Sequence, residues 1–222
     1  MSDFSKTKLQ FHLPKGMIYL DGNSLGPLPK KAQERIQHTL NKEWGEMLVT
    51  GWNKAGWMEQ PNKVGDRIAK LIGATSKTVT VGDTLSIKVF QALASATNYQ
   101  KHRKVLLTDS SNFPSDIYAA QGLVNMLQDD YQVKIVSTDD LIDNINENVA
   151  AVFFTEVDYK TGRRYDAKKI IKAAKQNGSL VILDLAHSAG AIDTNLTELE
   201  VDLAVGCTYK YLNGGPGSPA FI

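Results

Sequence analysis

The chain contains one cysteine, Cys207, among 222 residues. No disulfide can form within it, and a reducing compartment is the natural setting. Histidine is scarce too. His12, His38, His102 and His187 lie far apart and show no metal-ligand spacing, so no metal is expected. No stretch approaches the roughly 20 apolar residues that span a bilayer. The opening MSDFSKTKLQFHLPKG has no apolar run of signal-peptide length. Charge of one sign is also missing: 25 basic residues face 24 acidic ones, a net charge of +1. That balance removes the electrostatic motive for binding nucleic acid or an anionic membrane. These absences together predict a cytoplasmic protein.

What is present is ordinary globular material, 42% hydrophobic and 22% charged. Residues 17–29, MIYLDGNSLGPLP, read as a short strand followed by a Gly/Pro turn. A helix follows from about Lys30, where Ile36, Leu40, Trp44 and Leu48 form an apolar stripe. Residues 50–62 are loop-like and carry Trp52 and Trp57, and a second helix over 61–71 ends at Gly73. From there strands at 78–81, 105–108, 131–136, 149–154, 180–184 and 203–206 alternate with helices at 84–98, 115–127, 138–146 and 166–176, the last capped by Asp166. Alternation of this kind predicts an α/β fold with a mostly parallel central sheet flanked by helices. Runs such as AVFF and LVIL suit strands covered on both faces. The sequence stops at SPAFI, inside what reads as an apolar strand, which points to a partial product.

Parallel sheets bind ligands beyond the carboxyl ends of their strands, so the residues after each strand carry the interest. After 78–81 comes GDTLS leading into a helix: an anion site on free backbone amides, or a plain helix cap. After 105–108 comes DSSNFPSD, where Phe113 could stack on a planar group and Asp116 bond its edge; an exposed capped loop explains it as well. After 149–154 come Thr155, Glu156 and Asp158, suggestive but common. After 180–183 comes DLAHSAG. An acid closing an apolar strand is costly to bury without a positive partner, and Asp184 has such a place, with His187 close behind. After 203–206 comes CTYKYLNGGPG. Lys210, between Tyr209 and Tyr211, is either a reactive amine kept partly neutral or a surface lysine laying its stem along the tyrosines. Each segment has a bland explanation alone; their order, each after a strand, is harder to dismiss.

These residues resemble kynureninase, a family of pyridoxal 5'-phosphate (PLP) enzymes with the aspartate-aminotransferase fold. The resemblance runs from Ile18 to Ile222 and rests on GNSLG (22–26), NFPSD (112–116), DLAHSAG (184–190) and YKYLNGGPG (209–217). DLAH alone is shared with class V aminotransferases and cysteine desulfurases. The resemblance implies that Lys210 forms the Schiff base, Asp184 pairs with the pyridine nitrogen and His187 lies on the cofactor. It implies that Leu85, Ser86 and Tyr209 hold the phosphate. Phe113 stacks on the ring, Asp116 sits at its polar edge, Thr155 is a further cofactor contact, and Ser24 and Trp52 lie near the substrate. Residues 1–60 would be an N-terminal segment on the substrate side, and 61–222 a PLP-binding large domain that is incomplete at its C-terminus. The small C-terminal domain would be missing, since kynureninases run to roughly twice this length.

The implied reaction is hydrolysis of L-kynurenine, and of its 3-hydroxy form, to an anthranilate and L-alanine in tryptophan catabolism, on the way to NAD biosynthesis. It would be catalysed by a homodimer with a shared site. Lys210 would serve as general base, Asp184 would keep the ring cationic, and Tyr209 would donate or relay a proton. The competing readings are another PLP enzyme of the same fold, an aminotransferase or cysteine desulfurase, and an inactive fragment that only dimerises.

Overall fold

A computed structural model of the protein describes residues 4–127 and 130–222; the first three residues of the N-terminal segment lie outside these. That segment is thinly structured. A single helical turn, α1 (Ser5–Lys8), leads to β1 (Phe11–His12), which pairs antiparallel with β2 (Leu28–Pro29). Helix α2 (Lys30–His38) continues as a π-helical turn over Thr39–Trp44 and a 3-10 turn over Leu48–Thr50, then the short α3 (Gly51–Lys54). The expected strand at the start of 17–29 does not form. Backbone bonds there close a local turn instead, with Ser24 and Leu25 amides both donating to the Asp21 carbonyl. The stripe of Ile36, Leu40, Trp44 and Leu48 stays exposed, because the core is already closed by other elements.

That core lies on both faces of a five-stranded sheet. Helix α4 (Gln60–Ile72) comes first and ends at Gly73 in a left-handed cap. Then come α5 (Leu85–Tyr99), β3 (Val105–Asp109), α6 (Pro114–Leu127), β4 (Gln132–Val136), β5 (Val149–Thr155), α7 (Ala167–Gln176), β6 (Leu180–Asp184), α8 (Leu196–Leu199) and β7 (Leu203–Val205). The strands stand in the order β4-β3-β5-β6-β7, and every neighbouring pair is parallel. Alternate side chains point to opposite faces. Leu106, Ala151, Phe153 and Ile182 meet Val89, Leu93, Ala120 and Leu123 of α5 and α6. Leu107, Val152, Phe154 and Leu183 meet Ile68, Ile72, Ile170 and Ile171 of α4 and α7. Each such side chain contributes about 1.5–3 kcal/mol by leaving water.

Two further expectations need correcting. Residues 138–146 form only a 3-10 turn at Ile142–Asn144. Ser137 bonds the Asp140 carboxylate and the Asn146 side chain accepts from the Asn148 amide, so polar side chains there compete with helical hydrogen bonds. Residues 78–81 join no main ladder. Thr80 instead exchanges both backbone bonds with Ile222, and Phe221 does the same with Gly206. This irregular antiparallel patch fastens the entry to α5 onto the edge of the sheet beside β7.

Candidate active site

The carboxyl ends of β3, β5, β6 and β7 open on one side of the sheet, and the polar segments converge there. Asp184 closes β6 opposite Thr155 of β5 in register. Both are buried. One Asp184 oxygen, Oδ1, accepts the Ala186 amide at 2.8 Å. The other, Oδ2, is buried with no hydrogen-bond partner. An acceptor left bare in this way costs on the order of 1–3 kcal/mol. The Thr155 hydroxyl is turned to its own strand end and donates to the Val157 carbonyl.

Lys210 approaches from the turn after β7. That turn is closed by the Asn213 amide on the Lys210 carbonyl and the Gly214 amide on the Thr208 carbonyl. The GNSLG loop lies directly on it. The Gly26 amide donates to the Tyr209 carbonyl, and a Cβ at Gly26 would fall 2.1 Å from the Lys210 carbonyl oxygen, so only glycine fits. The lysine is 7% exposed, which is rare for a lysine side chain. Its Nζ stands 2.7 Å from His187 Nε2 and 5.7 Å from the centre of the Phe113 ring.

Electrostatics sharpen the picture. Burial holds the Lys210 amine below its ordinary value. Burial, then the lysine charge, push His187 down to about 4, so its ring is neutral at physiological pH. Asp116, in the first turn of α6, is pushed up to about 8 by burial and by Asp184, itself raised to about 6 by burial. At neutral pH the two carboxyls hold a proton between them. Tyr209 is pushed up to about 12 by burial and then by Cys207, so its phenol keeps its proton. Cys207 is buried, touches the Ala186 carbonyl at 3.8 Å and is likewise raised by burial.

The remaining expected residues stand further off. Thr84 opens α5 without a side-chain cap, so the first amides of the helix, around Leu85 and an exposed Ser86, have no side-chain partner at the helix start. This helix end connects to the lysine turn through two links. The Ala220 amide donates to the Asp83 carbonyl, and the Thr208 hydroxyl donates to the Pro219 carbonyl. Ser24 is exposed and donates to Asp21. Trp52 is half exposed and meets Trp57 edge-on at 5.7 Å. It borders a cleft shared with Ile68, Thr208 and Leu212, whose lining does not include Lys210. Sequence reading missed Tyr159, whose ring packs on both Phe113 and His187. An aromatic in a post-strand turn was the available signal.

The Aminotransferase class-V family matches residues 18–218. The chain belongs to the class-V aminotransferase family. Members of this family depend on pyridoxal 5'-phosphate. The class-V site here fits that group. The bare Asp184 Oδ2 is free for a donor such as a protonated pyridine nitrogen, and the buried Lys210 amine is near enough to interact with this carboxylate electrostatically. The chain is 47% identical over 218 residues to a kynureninase from Burkholderia mallei, covering 96% of this chain and 52% of that protein. A kynureninase from Pseudomonas fluorescens matches to the same extent. The chain thus spans about half the length of the curated relatives it matches. Among solved structures, a cysteine desulfurase from Thermococcus onnurineus superposes with a TM-score of 0.78 at 19% identity, over 100% of this chain and 56% of that one. A cysteine desulfurase from Escherichia coli gives 0.77 at 16% identity, over 100% and 57%. Those likenesses concern the fold of the class-V domain. Among the described residues no helix is long and apolar enough to cross a membrane, and no cluster of His, Cys, Asp or Glu could hold a metal ion.

Proposed function

We propose that this chain carries the cofactor half of a kynureninase, hydrolysing L-kynurenine to anthranilate and L-alanine, with 3-hydroxykynurenine as a related substrate. The observation that carries the reading is the cluster of buried Lys210, Asp184 and Asp116 with the half-buried His187 and Phe113, in a sequence 47% identical to kynureninases. Residues 61–222 form the cofactor domain and 1–60 a segment on the substrate side. The working enzyme is a homodimer.

Pyridoxal phosphate supplies, when bound, an electron sink for a carbanion beside the substrate amine. Asp184 would hold the ring nitrogen cationic through its free oxygen, and Phe113 and His187 would flank the ring. Leu85 and Ser86 offer amides and a hydroxyl to the phosphate at the start of α5, with Tyr209 beside them. Thr155 and Asp116 line the polar edge. Lys210 would hold the cofactor through its aldehyde carbon, and the lysine amine would serve as the base for the substrate α-proton. His187, neutral and 2.7 Å away, hydrogen-bonds that amine and helps to hold it in place. Tyr209 retains its phenolic proton and delivers it to the carbon released in the cleavage. One water is consumed per substrate. Cys207 is buried and raised, so it is not the mobile thiolate that a desulfurase uses.

The test is direct. Purified chain mixed with pyridoxal phosphate should develop a visible absorption band that borohydride bleaches, with the added mass on the Lys210 peptide and no band in Lys210→Met. Addition of L-kynurenine should release fluorescent anthranilate. A labelled Lys210 without anthranilate release would remove the substrate assignment alone; no band in the wild type would remove the whole reading.

A further inference from the structure

The turn after β5 holds groups that the chemistry above leaves without a task. Glu156 is fully buried, and its two oxygens take hydrogen bonds from Arg164 at 2.9 Å and from the Thr194 hydroxyl at 2.7 Å. Asp158 is also buried; its Oδ1 accepts the amides of Lys160 and Thr161 at 2.7 and 3.1 Å. The backbone closes the same turn, with the Asp158 amide on the Arg163 carbonyl and the Gly162 amide on the Asp158 carbonyl. Gly162 sits at φ +69°, where a side chain would be strained. Burying carboxylates is expensive unless they are fully bonded. Here their bonds fix one short turn.

What that turn presents is Tyr159. Its ring meets Phe113 edge-on, with centroids 4.8 Å apart and planes at 65°. It stacks on His187 at 6.3 Å and 26°. Phe113 and His187 are themselves 6.3 Å apart, and both touch the Lys210 amine. Three rings thus close a triangle beside the amine, and Tyr159 is the member that does not touch it. We infer that Tyr159 is a positioning residue, its ring wedging Phe113 and His187 into the orientations in which they flank Lys210 and the cofactor. The inference rests on the proposed cofactor reading. The aromatic ring does this packing, so the hydroxyl is dispensable.

The experiment titrates cofactor-free wild type, Tyr159→Phe and Tyr159→Leu with pyridoxal phosphate, following the visible band, and records thermal midpoints without cofactor. Removing both ring–ring interactions at once corresponds to about a tenfold weaker Kd. Tyr159→Leu should show that weakening and a displaced band maximum, with a midpoint within a few degrees of wild type. Tyr159→Phe should stay within about twofold in Kd. Wild-type affinity and band in Tyr159→Leu would overturn the inference, as would a Phe variant as weak as Leu. If Tyr159→Leu melts far below wild type, Tyr159→Met, whose flexible unbranched side chain refills irregular space, is read in its place by the same criteria. A wild type that forms no band fails the cofactor reading itself, and a band that is indifferent to residue 159 fails this inference alone.

Discussion

Asp116 and Asp184 sit deep enough that their protons become part of the folding equilibrium. Burial raises both, Asp116 to about 8 and Asp184 to about 6, from an ordinary 3.8. An unfolded chain releases these protons near pH 4. Between about pH 4 and 8 the folded state therefore binds more protons, and the stability contributed by the pair is full below pH 4 and lost as pH rises to 8. Asp116→Asn should gain on the cofactor-free wild type across that window, its advantage in urea unfolding growing steadily from pH 4 to pH 8. A constant difference at all pH values would contradict the assignment. Tyr209 supports a second prediction. Tyr209→Phe should slow kynurenine turnover by about 10²–10⁴-fold while pyridoxal phosphate occupancy stays near wild type; unchanged turnover would count against a proton-donor role. At this scale the sequence was informative where chemistry and position coincide. A carboxylate ending an apolar strand and a lysine before a glycine-rich turn both land in the buried cluster. Tyr159 stayed hidden because nothing in DYKTG says which way the turn faces.

The elements show the same division. The central strands β3, β5 and β6 were legible because continuous apolar runs leave little choice once both faces are covered. Helix α7 was legible at both ends, and its Asp166 carboxylate accepts the Lys169 amide as a cap should. Asp166→Ala is expected to cost about 1 kcal/mol, read as a lowered urea midpoint with unchanged slope. A change below a few tenths would mean that neighbouring residues satisfy the helix end. The segment over 17–20 was not legible. Its apolar residues fit a strand, yet Ile18 and Leu20 stay exposed and the Met17 amide closes a turn on the Pro14 carbonyl. The stripe on α2 had the right spacing, but periodicity identifies a face without saying what covers it.

Across the whole molecule, the sheet carries two hydrophobic layers and gathers its reactive groups at one end. A cofactor that binds only the folded state should raise the thermal midpoint in proportion to the logarithm of its concentration. At 100 times Kd that amounts to about 2.7 kcal/mol, a few degrees for a chain of this size. Asp184→Asn should show a smaller rise, since the ring nitrogen would lose its ionic partner; an equal rise would place the ring elsewhere. The family and the layered architecture could be read from sequence because the segments recur in order.

The pairing of Thr80 with Ile222 has a consequence for how the protein is made. The loop that starts α5 is pinned by residues synthesised well over a hundred positions later. A nascent chain emerging from the ribosome can assemble most of the sheet, yet the start of α5 stays unanchored until those residues arrive. Such distant closure slows folding. Pyridoxal phosphate added during translation should therefore be captured late, near the completion of this region.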